Sequence, residues 1–161
     1  MLFVGLLSFG IVSTESIAAP DQNKIQNSSH MKTKNADVEF TVDSNTGTLQ
    51  IEVENIGTAP VELQTYRGLL VCRILVKAAD GRLCPHTELG VSVIRNAMGS
   101  SKVIRVPVAK RDKFTIPLAR YFALTDGDWT IDCRLPMFPR DEYPQVKDLK
   151  FHFSSKNQNA K

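Results

Sequence analysis

From position 37 onward, apolar and polar residues alternate along the chain with a period of two. Val38, Phe40 and Val42 are each separated by one polar residue. Because successive side chains of a strand point to opposite faces, this spacing predicts a strand with one buried face and one solvated face. The same pattern predicts strands at Leu49, Ile51 and Val53; at 61–63; at Phe114, Ile116 and Leu118; at Trp129, Ile131 and Cys133; and at Leu149, Phe151 and Phe153.

Three further segments complete the predicted strands. Residues 69–77 (LLVCRILVK) are apolar on both faces, which is typical of a central strand. Residues 91–94 and 103–108 predict shorter strands, and 119–124 predicts one helical turn between sheets. Strands spaced by about 8–12 residues, with no long stretch of 3.6-residue period, predict an all-β antiparallel sandwich of about seven to eight strands over 37–154.

The N-terminus has the pattern of an export signal. Residues 2–12 (LFVGLLSFGIV) are apolar, uncharged and too short to span a bilayer, and small residues follow at Ser16 and Ala18. We therefore predict cleavage after Ala18, a periplasmic or secreted protein, and no integral membrane segment after cleavage. The alternative is a buried strand of the folded domain. Residues 19–36 are polar and predict a flexible leader, and 155–161 predict a disordered tail.

Composition adds limits to this picture. The 161 residues are 42% hydrophobic and 23% charged, which excludes wholesale disorder, collagen and coiled coil and suits one domain with a core. The net charge of +3 neither requires nor excludes an acidic partner. Basic and acidic residues are interspersed, so we predict no nucleic-acid partner.

Two segments carry a resemblance to a known class of domain. Residues 51–63 (IEVENIGTAPVEL) resemble the I-x-V-x-N-x-G-x-x-P-V-x-L hairpin of secreted bacterial immunoglobulin-like domains, and 117–131 (PLARYFALTDGDWTI) is similar to a later segment of those domains. The resemblance implies an immunoglobulin-like β-sandwich, found in stand-alone periplasmic proteins and in accessory or pro-domains of secreted peptidases. It implies no catalytic residue. Residues 109–113 replace the usual glycine-rich turn.

The three cysteines of an exported chain predict one disulfide and one free thiol. Cys72 and Cys133 lie on apolar strand faces at a spacing similar to that of the disulfide in antibody-type domains, where a buried tryptophan is adjacent. We favour a Cys72–Cys133 disulfide, which would stabilise the fold by about 4 kcal/mol on the chain-entropy model. A Cys84–Cys133 bridge and three reduced, buried cysteines are the alternatives.

Motifs for catalysis or metal binding are weak. The sequence has no G-x-S-x-G, H-E-x-x-H or phosphate-binding glycine loop, so we predict no enzyme and no cofactor. Cys84 and His86 are the only metal-ligand types that lie close together, and no His lies between Cys133 and Met137 as a blue-copper site would need. We predict no metal, with a small metal- or ligand-binding sandwich using Cys84 and His86 as an alternative function.

Two loops carry residue types that are common at protein interfaces. Residues 110–113 (KRDK) form a cationic loop suited to an acidic partner or to solvation alone. Residues 134–146 (RLPMFPRDEYPQV) join the last two predicted strands, and prolines frame aromatic and arginine side chains there. In the alternative, Phe138 and Tyr143 fold back over the core. The predicted partner-binding residues are Arg134, Met137, Phe138, Arg140, Tyr143, Lys110, Arg111 and Lys113.

Together these patterns predict an exported, non-enzymatic, immunoglobulin-like β-sandwich that binds a protein partner. An inhibitor, an immunity protein and an accessory subunit all fit that description. A structural envelope protein without a discrete partner is a further alternative, and no residue pattern separates it from the first.

Overall fold

The computed structural model describes residues 26–67, 69–138 and 143–156. The predicted export signal at 1–18, the first part of the predicted leader and Arg140 lie outside these residues. The strands are β1 (Gln26–Lys32), β2 (Ala36–Asp43), β3 (Thr48–Asn55), β4 (Val61–Tyr66), β5 (Leu69–Leu70), β6 (Arg73–Ala78), β7 (Lys102–Val106), β8 (Arg111–Pro117), β9 (Gly127–Arg134), β10 (Met137–Phe138) and β11 (Gln145–Phe153); the helices are α1 (Glu88–Ser100) and α2 (Leu118–Tyr121).

The described chain is mostly antiparallel β-structure, as the alternating pattern predicts. One sheet, which we call the four-stranded sheet, has the order β1-β2-β3-β8. Its central pair, β2 and β3, is in register along the whole length of both strands, with Phe40 opposite Ile51. Both of these side chains are fully buried. The period-two prediction is therefore confirmed where one sheet face covers the core.

Strand β1 corrects the prediction of a flexible leader over 19–36. Residues Gln26–Lys32 pair with β2 without interruption, from Gln26 opposite Asp43 to Lys32 opposite Asp37. A strand at the edge of a sheet needs few large apolar side chains. The apolar–polar alternation therefore does not reveal such a strand when its sequence is polar. The predicted tail also begins in ordered structure, because the amide of Ser155 donates to Asp126 Oδ1 at 2.7 Å.

A second sheet has the order β11-β9-β6. Trp129, Ile131 and Cys133 of β9 are buried on one face, as predicted. The prediction of one central strand over 69–77 is wrong, because this segment divides into β5 and β6, which belong to different sheets, and β6 lies at a sheet edge. The apolar side chains of this segment therefore belong to two different sheets and do not form the two faces of one central strand.

A third sheet has the order β10-β4-β5, with β7 also paired to β4. Two of its strands contain only two residues each. These short strands and β1 bring the number of described strands to eleven, instead of the predicted seven to eight. Side chains from all three sheets share one core cluster, in which Val38, Leu63 and Ile131 are fully buried.

Helix α1 replaces the strand predicted at 91–94. Thr87 precedes the helix and caps it, because its hydroxyl accepts from the amide of Gly90 at 3.1 Å. The first turn packs closely on α2, and a Cβ at Gly90 would lie 2.2 Å from the carbonyl oxygen of Tyr121. Only glycine fits this approach. Helix α2 confirms the predicted helical turn, and no described helix is long and apolar enough to cross a membrane.

Asn55 explains the asparagine of the hairpin motif at 51–63. Its side chain is fully buried, and its amide donates to the carbonyl oxygens of Ala59 at 2.9 Å and Val106 at 2.8 Å. Its Oδ1 accepts from the amide of Gly57 at 2.9 Å. One side chain thus joins the end of β3 to the end of β7, so this part of the motif is structural.

Candidate partner-binding surface

An apolar groove lies where β5 and β6 face the two helices. Its volume is about 330 Å³. We call it the edge groove, because the unpaired side of β6 forms one wall and α1 and α2 form the other. Its principal apolar lining residues are Leu70, Ile74, Val93, Ile94, Ile116 and Phe122.

The edge of β6 is covered along only part of its length. The amide of Cys84 donates to the carbonyl oxygen of Val76 at 2.7 Å, and the amide of Ala78 donates to that of Arg82 at 2.9 Å. These bonds show that alternate residues of β6, counted back from Ala78, direct their backbone groups away from β9. Ile74 is the next such residue, and in the described part of the chain it has no backbone partner on that side.

Two arginines meet at the open end of this edge. Arg73 of β6 lies directly opposite Arg134 of β9, and Lys147 lines the same shallow depression on the outer face of the sheet. Neither arginine forms an ion pair with a carboxylate among the described residues. Like charges directly opposite each other destabilise a sheet. Among the described residues, the two arginines therefore have no carboxylate partner.

The carboxylate of Asp132, which lines the same depression, is already engaged. Asp132 of β9 pairs with the ammonium group of Lys77 and accepts from the amide of Asp148 at 3.0 Å. Burial opposes the ionisation of Asp132, but these two donors outweigh burial, and the pKa of its carboxyl group is lowered. The hydrogen bond to Asp132 likewise raises the pKa of Lys77. Asp132 thus joins β6 to β9 through Lys77 and forms no ion pair with either arginine.

The structure divides the predicted loop 134–146 between surface and core. Met137 is buried and pairs with Leu63 through β10, so it is not exposed for binding as predicted. Tyr143 is 40% exposed, and the guanidinium carbon of Arg134 lies 4.3 Å from the centre of its ring. The backbone of Phe138 pairs with Glu62, and its side chain lies outside the described part.

The predicted cationic loop is partly neutralised. Arg111 belongs to β8 and reaches across the sheet to Glu52 at 2.6 Å and to Glu54. These carboxylates raise the pKa of Arg111 and hold its guanidinium group on the sheet surface. Lys110 and Lys113 are exposed; Lys113 lies on β8 and Lys110 directly before it, whereas Arg134 belongs to β9 of another sheet. The two predicted binding loops therefore do not form one surface through their strands.

Cys72 and Cys133 are neighbours, and both are free thiols. A side-chain hydrogen bond to Cys72, together with burial, raises the pKa of the Cys133 thiol. Cys72 also lines the edge groove and donates to the carbonyl oxygen of Leu70 at 3.6 Å. The disulfide between these two residues stays a prediction; Cys133 lies on β9 and Cys72 directly before β6.

Cys84 and His86, the alternative metal ligands, have other contacts. Burial raises the pKa of the Cys84 thiol, which donates to the carbonyl oxygen of Pro85 at 3.7 Å. The ring of His86 packs on Phe122 with a centroid distance of 4.7 Å. Over the described residues, no group of three His, Cys, Asp or Glu side chains is placed to hold a metal ion.

Arg73, Ile74 and α1 were not among the predicted site residues. Two signals in the sequence point to α1: a threonine at the N-cap position and a glutamate in the first turn. The β-branched residues that follow favour a strand and mask them. Arg73 interrupts an otherwise apolar segment, which is unusual for a central strand and points to an edge.

No protein-family model, curated protein or solved structure matched this chain.

Proposed function

We propose that this chain is an exported, immunoglobulin-like β-sandwich that binds a protein partner and performs no catalysis. The strand order supports the fold part of the proposal. The neighbours β2-β3-β8 correspond to the A-B-E order of immunoglobulin domains, and β6-β9-β11 correspond to their C-F-G order. The apolar segment at 2–12 supports export, and the lack of a catalytic motif in the sequence supports a binding role.

The observation that carries the binding role is the edge groove together with Arg73. Ile94 is 53% exposed at its rim, and Arg73 has no carboxylate partner among the described residues; an apolar groove bordered by such an arginine has the composition of an interface hot spot. Arginine contributes a planar set of donors that binds a carboxylate with two hydrogen bonds. The partner surface that fits is therefore apolar, with an acidic residue beside the apolar side chain.

Capture from the exported fraction tests this function. The full chain, tagged and expressed in its own cells, is compared with the double variant Arg73→Glu with Ile94→Asp. A matched control, Lys102→Glu with Val108→Asp, makes the same charge changes at exposed positions outside the groove. We expect one protein to be retained in a fixed ratio by the wild type and the control and to be lost from the groove variant.

Two results would overturn the proposal. One is a partner that all three chains retain equally, because binding would then not involve the groove. The other is a wild-type chain that retains no protein in a fixed ratio. Equal melting temperatures of the three chains show that the comparison reports on binding instead of folding.

A further inference from the structure

We infer that the partner binds as an extended strand added to the open edge of β6, with an apolar side chain in the edge groove and a carboxylate on Arg73. This inference rests on the proposed function and names how the site is occupied. Strand addition takes its affinity from main-chain hydrogen bonds and its specificity from pockets for alternate side chains. Both features are present at this edge.

The backbone of β6 provides the first argument. The segment at 82–84 pairs with β6 only as far as Val76, and the chain then turns away at Pro85 towards α1. The amide and carbonyl groups of Ile74 are left without a backbone partner among the described residues. An unpaired strand edge is a template for another extended chain. A helical partner satisfies its own backbone groups and would leave Ile74 unpaired.

The size of the groove provides the second argument. Its volume of about 330 Å³ is at the small end of ligand pockets, which are roughly 300–1,000 Å³. Such a space takes a few side chains instead of a whole helix. The wall opposite β6 is apolar, and Val93 and Ile94 supply it from consecutive positions of α1. A large aliphatic or aromatic side chain of the added strand fits between these walls.

Charge provides the third argument. Arg73 lines both the edge groove and the depression that contains Arg134 and Lys147. An acidic residue next to the apolar one would relieve the repulsion between Arg73 and Arg134. Pairing of β6 with β6 of a second copy does not fit, because β6 (RILVKA) contains no acidic residue to bring to the edge of its neighbour. The occupant that we infer is a segment of a different protein, extended, apolar and acidic.

A displayed library of linear peptides with nine random residues tests the inference on the full chain. We expect selected peptides to carry Asp or Glu within one to three positions of a large apolar residue. The best of them is then synthesised with single N-methyl groups at successive amides. The backbone groups of Ile74 are the ones left unpaired at this edge among the described residues, so an added strand donates one amide to β6, and we expect affinity to fall about tenfold or more when that amide carries the methyl group. Methylation of the amide on either side of it, which points away from β6, should change affinity by less than about threefold.

Variants localise the binding. Arg73→Glu should lower peptide affinity at least about tenfold, the order expected for a charge-assisted hydrogen bond, while Lys102→Glu leaves it unchanged. Equal tolerance at all amides, or equal loss at two adjacent amides, would overturn strand addition but leave the proposed function intact. A library that yields no peptide dependent on Arg73 would also overturn the inference. The capture experiment decides the proposed function separately.

Discussion

The four-stranded sheet and the edge of β6 differ in how completely their backbone groups are paired and their charges compensated. In the four-stranded sheet β2 and β3 pair without a register shift, and their apolar residues are fully buried. The charges on its outer face are also compensated, with Arg111 held by Glu52 and Glu54. At β6 the backbone is half covered and Arg73 faces another arginine.

This difference separates stability from binding. Regular pairing and compensated charge lower the free energy of the folded chain, and they leave few groups for a partner to satisfy. The edge of β6 has unpaired backbone groups, partly exposed aliphatic side chains and two opposed arginines. These groups contribute little to folding, but a partner can form hydrogen bonds, apolar contacts and ion pairs with them. We therefore expect substitutions in the four-stranded sheet to change stability and substitutions at β6 and α1 to change binding.

The largest expected effect is on the four-stranded sheet. Phe40→Ala removes a fully buried ring from the centre of β2. Truncation of a buried phenylalanine costs about 3–5 kcal/mol through lost burial and the remaining cavity. Urea unfolding monitored by tryptophan fluorescence measures this loss. The matched variant Ile94→Ala, at the exposed rim of the groove, should change stability by less than about 0.5 kcal/mol. Similar losses for both variants would contradict the distinction between the two regions.

Oxidation of the two neighbouring thiols should have the next largest effect. A Cys72–Cys133 disulfide closes a loop that begins beside the groove and ends on β9, and the chain-entropy model gives about 4 kcal/mol for a loop of this length. We expect the exported protein to weigh two hydrogens less than the sum of its residues and to lose this stability in reductant. Cys84→Ser should keep both properties. Loss of the bridge in Cys84→Ser would assign it to Cys84 instead.

The regular sheets follow from the sequence because burial on one face imposes a period of two. Phe151 and Phe153 alternate with exposed residues, and so they mark the last strand correctly. The asparagine and glycine of the hairpin motif also have a structural reason, since the side chain of Asn55 binds the backbone of Gly57 and Ala59 in the turn and that of Val106 at the end of β7. The sequence predicts these elements because the positions of their apolar residues match the positions that are buried in the folded chain.

The candidate site does not follow from the sequence, because it depends on which strand edges remain unpaired. The sequence shows that Arg73 and Arg134 are basic, but only the register of β6 against β9 places them opposite each other. Helix α1 was missed because its valines and isoleucine have high strand propensity, while its position is fixed by Thr87 and by the contact of Gly90 with Tyr121. Tertiary contacts determine both features.

A smaller effect is expected from the ion pair that joins β6 to β9. The pKa of Asp132 is lowered in the folded chain, so the stability that its charge contributes is present above the ordinary value of 3.8 and is lost as pH falls through the lowered pKa. Asp132→Asn should therefore be less stable than the wild type at pH 7, and the difference should shrink in increasingly acid solution. Thermal unfolding from pH 7 to pH 2 measures this. The exposed Asp112→Asn is the control, and a difference that stays constant with pH would contradict the assignment.

The smallest expected effect compares one arginine from each region. Arg111→Ala breaks two ion pairs on the four-stranded sheet, so it should lower the melting temperature slightly, and less in high salt because exposed pairs are screened. Arg73→Ala removes a like charge opposite Arg134, so it should leave the melting temperature unchanged or raise it slightly in low salt. Calorimetry of both variants at low and high salt measures the two signs. A loss of stability in Arg73→Ala as large as that in Arg111→Ala would mean that Arg73 stabilises the fold and is not reserved for binding a partner.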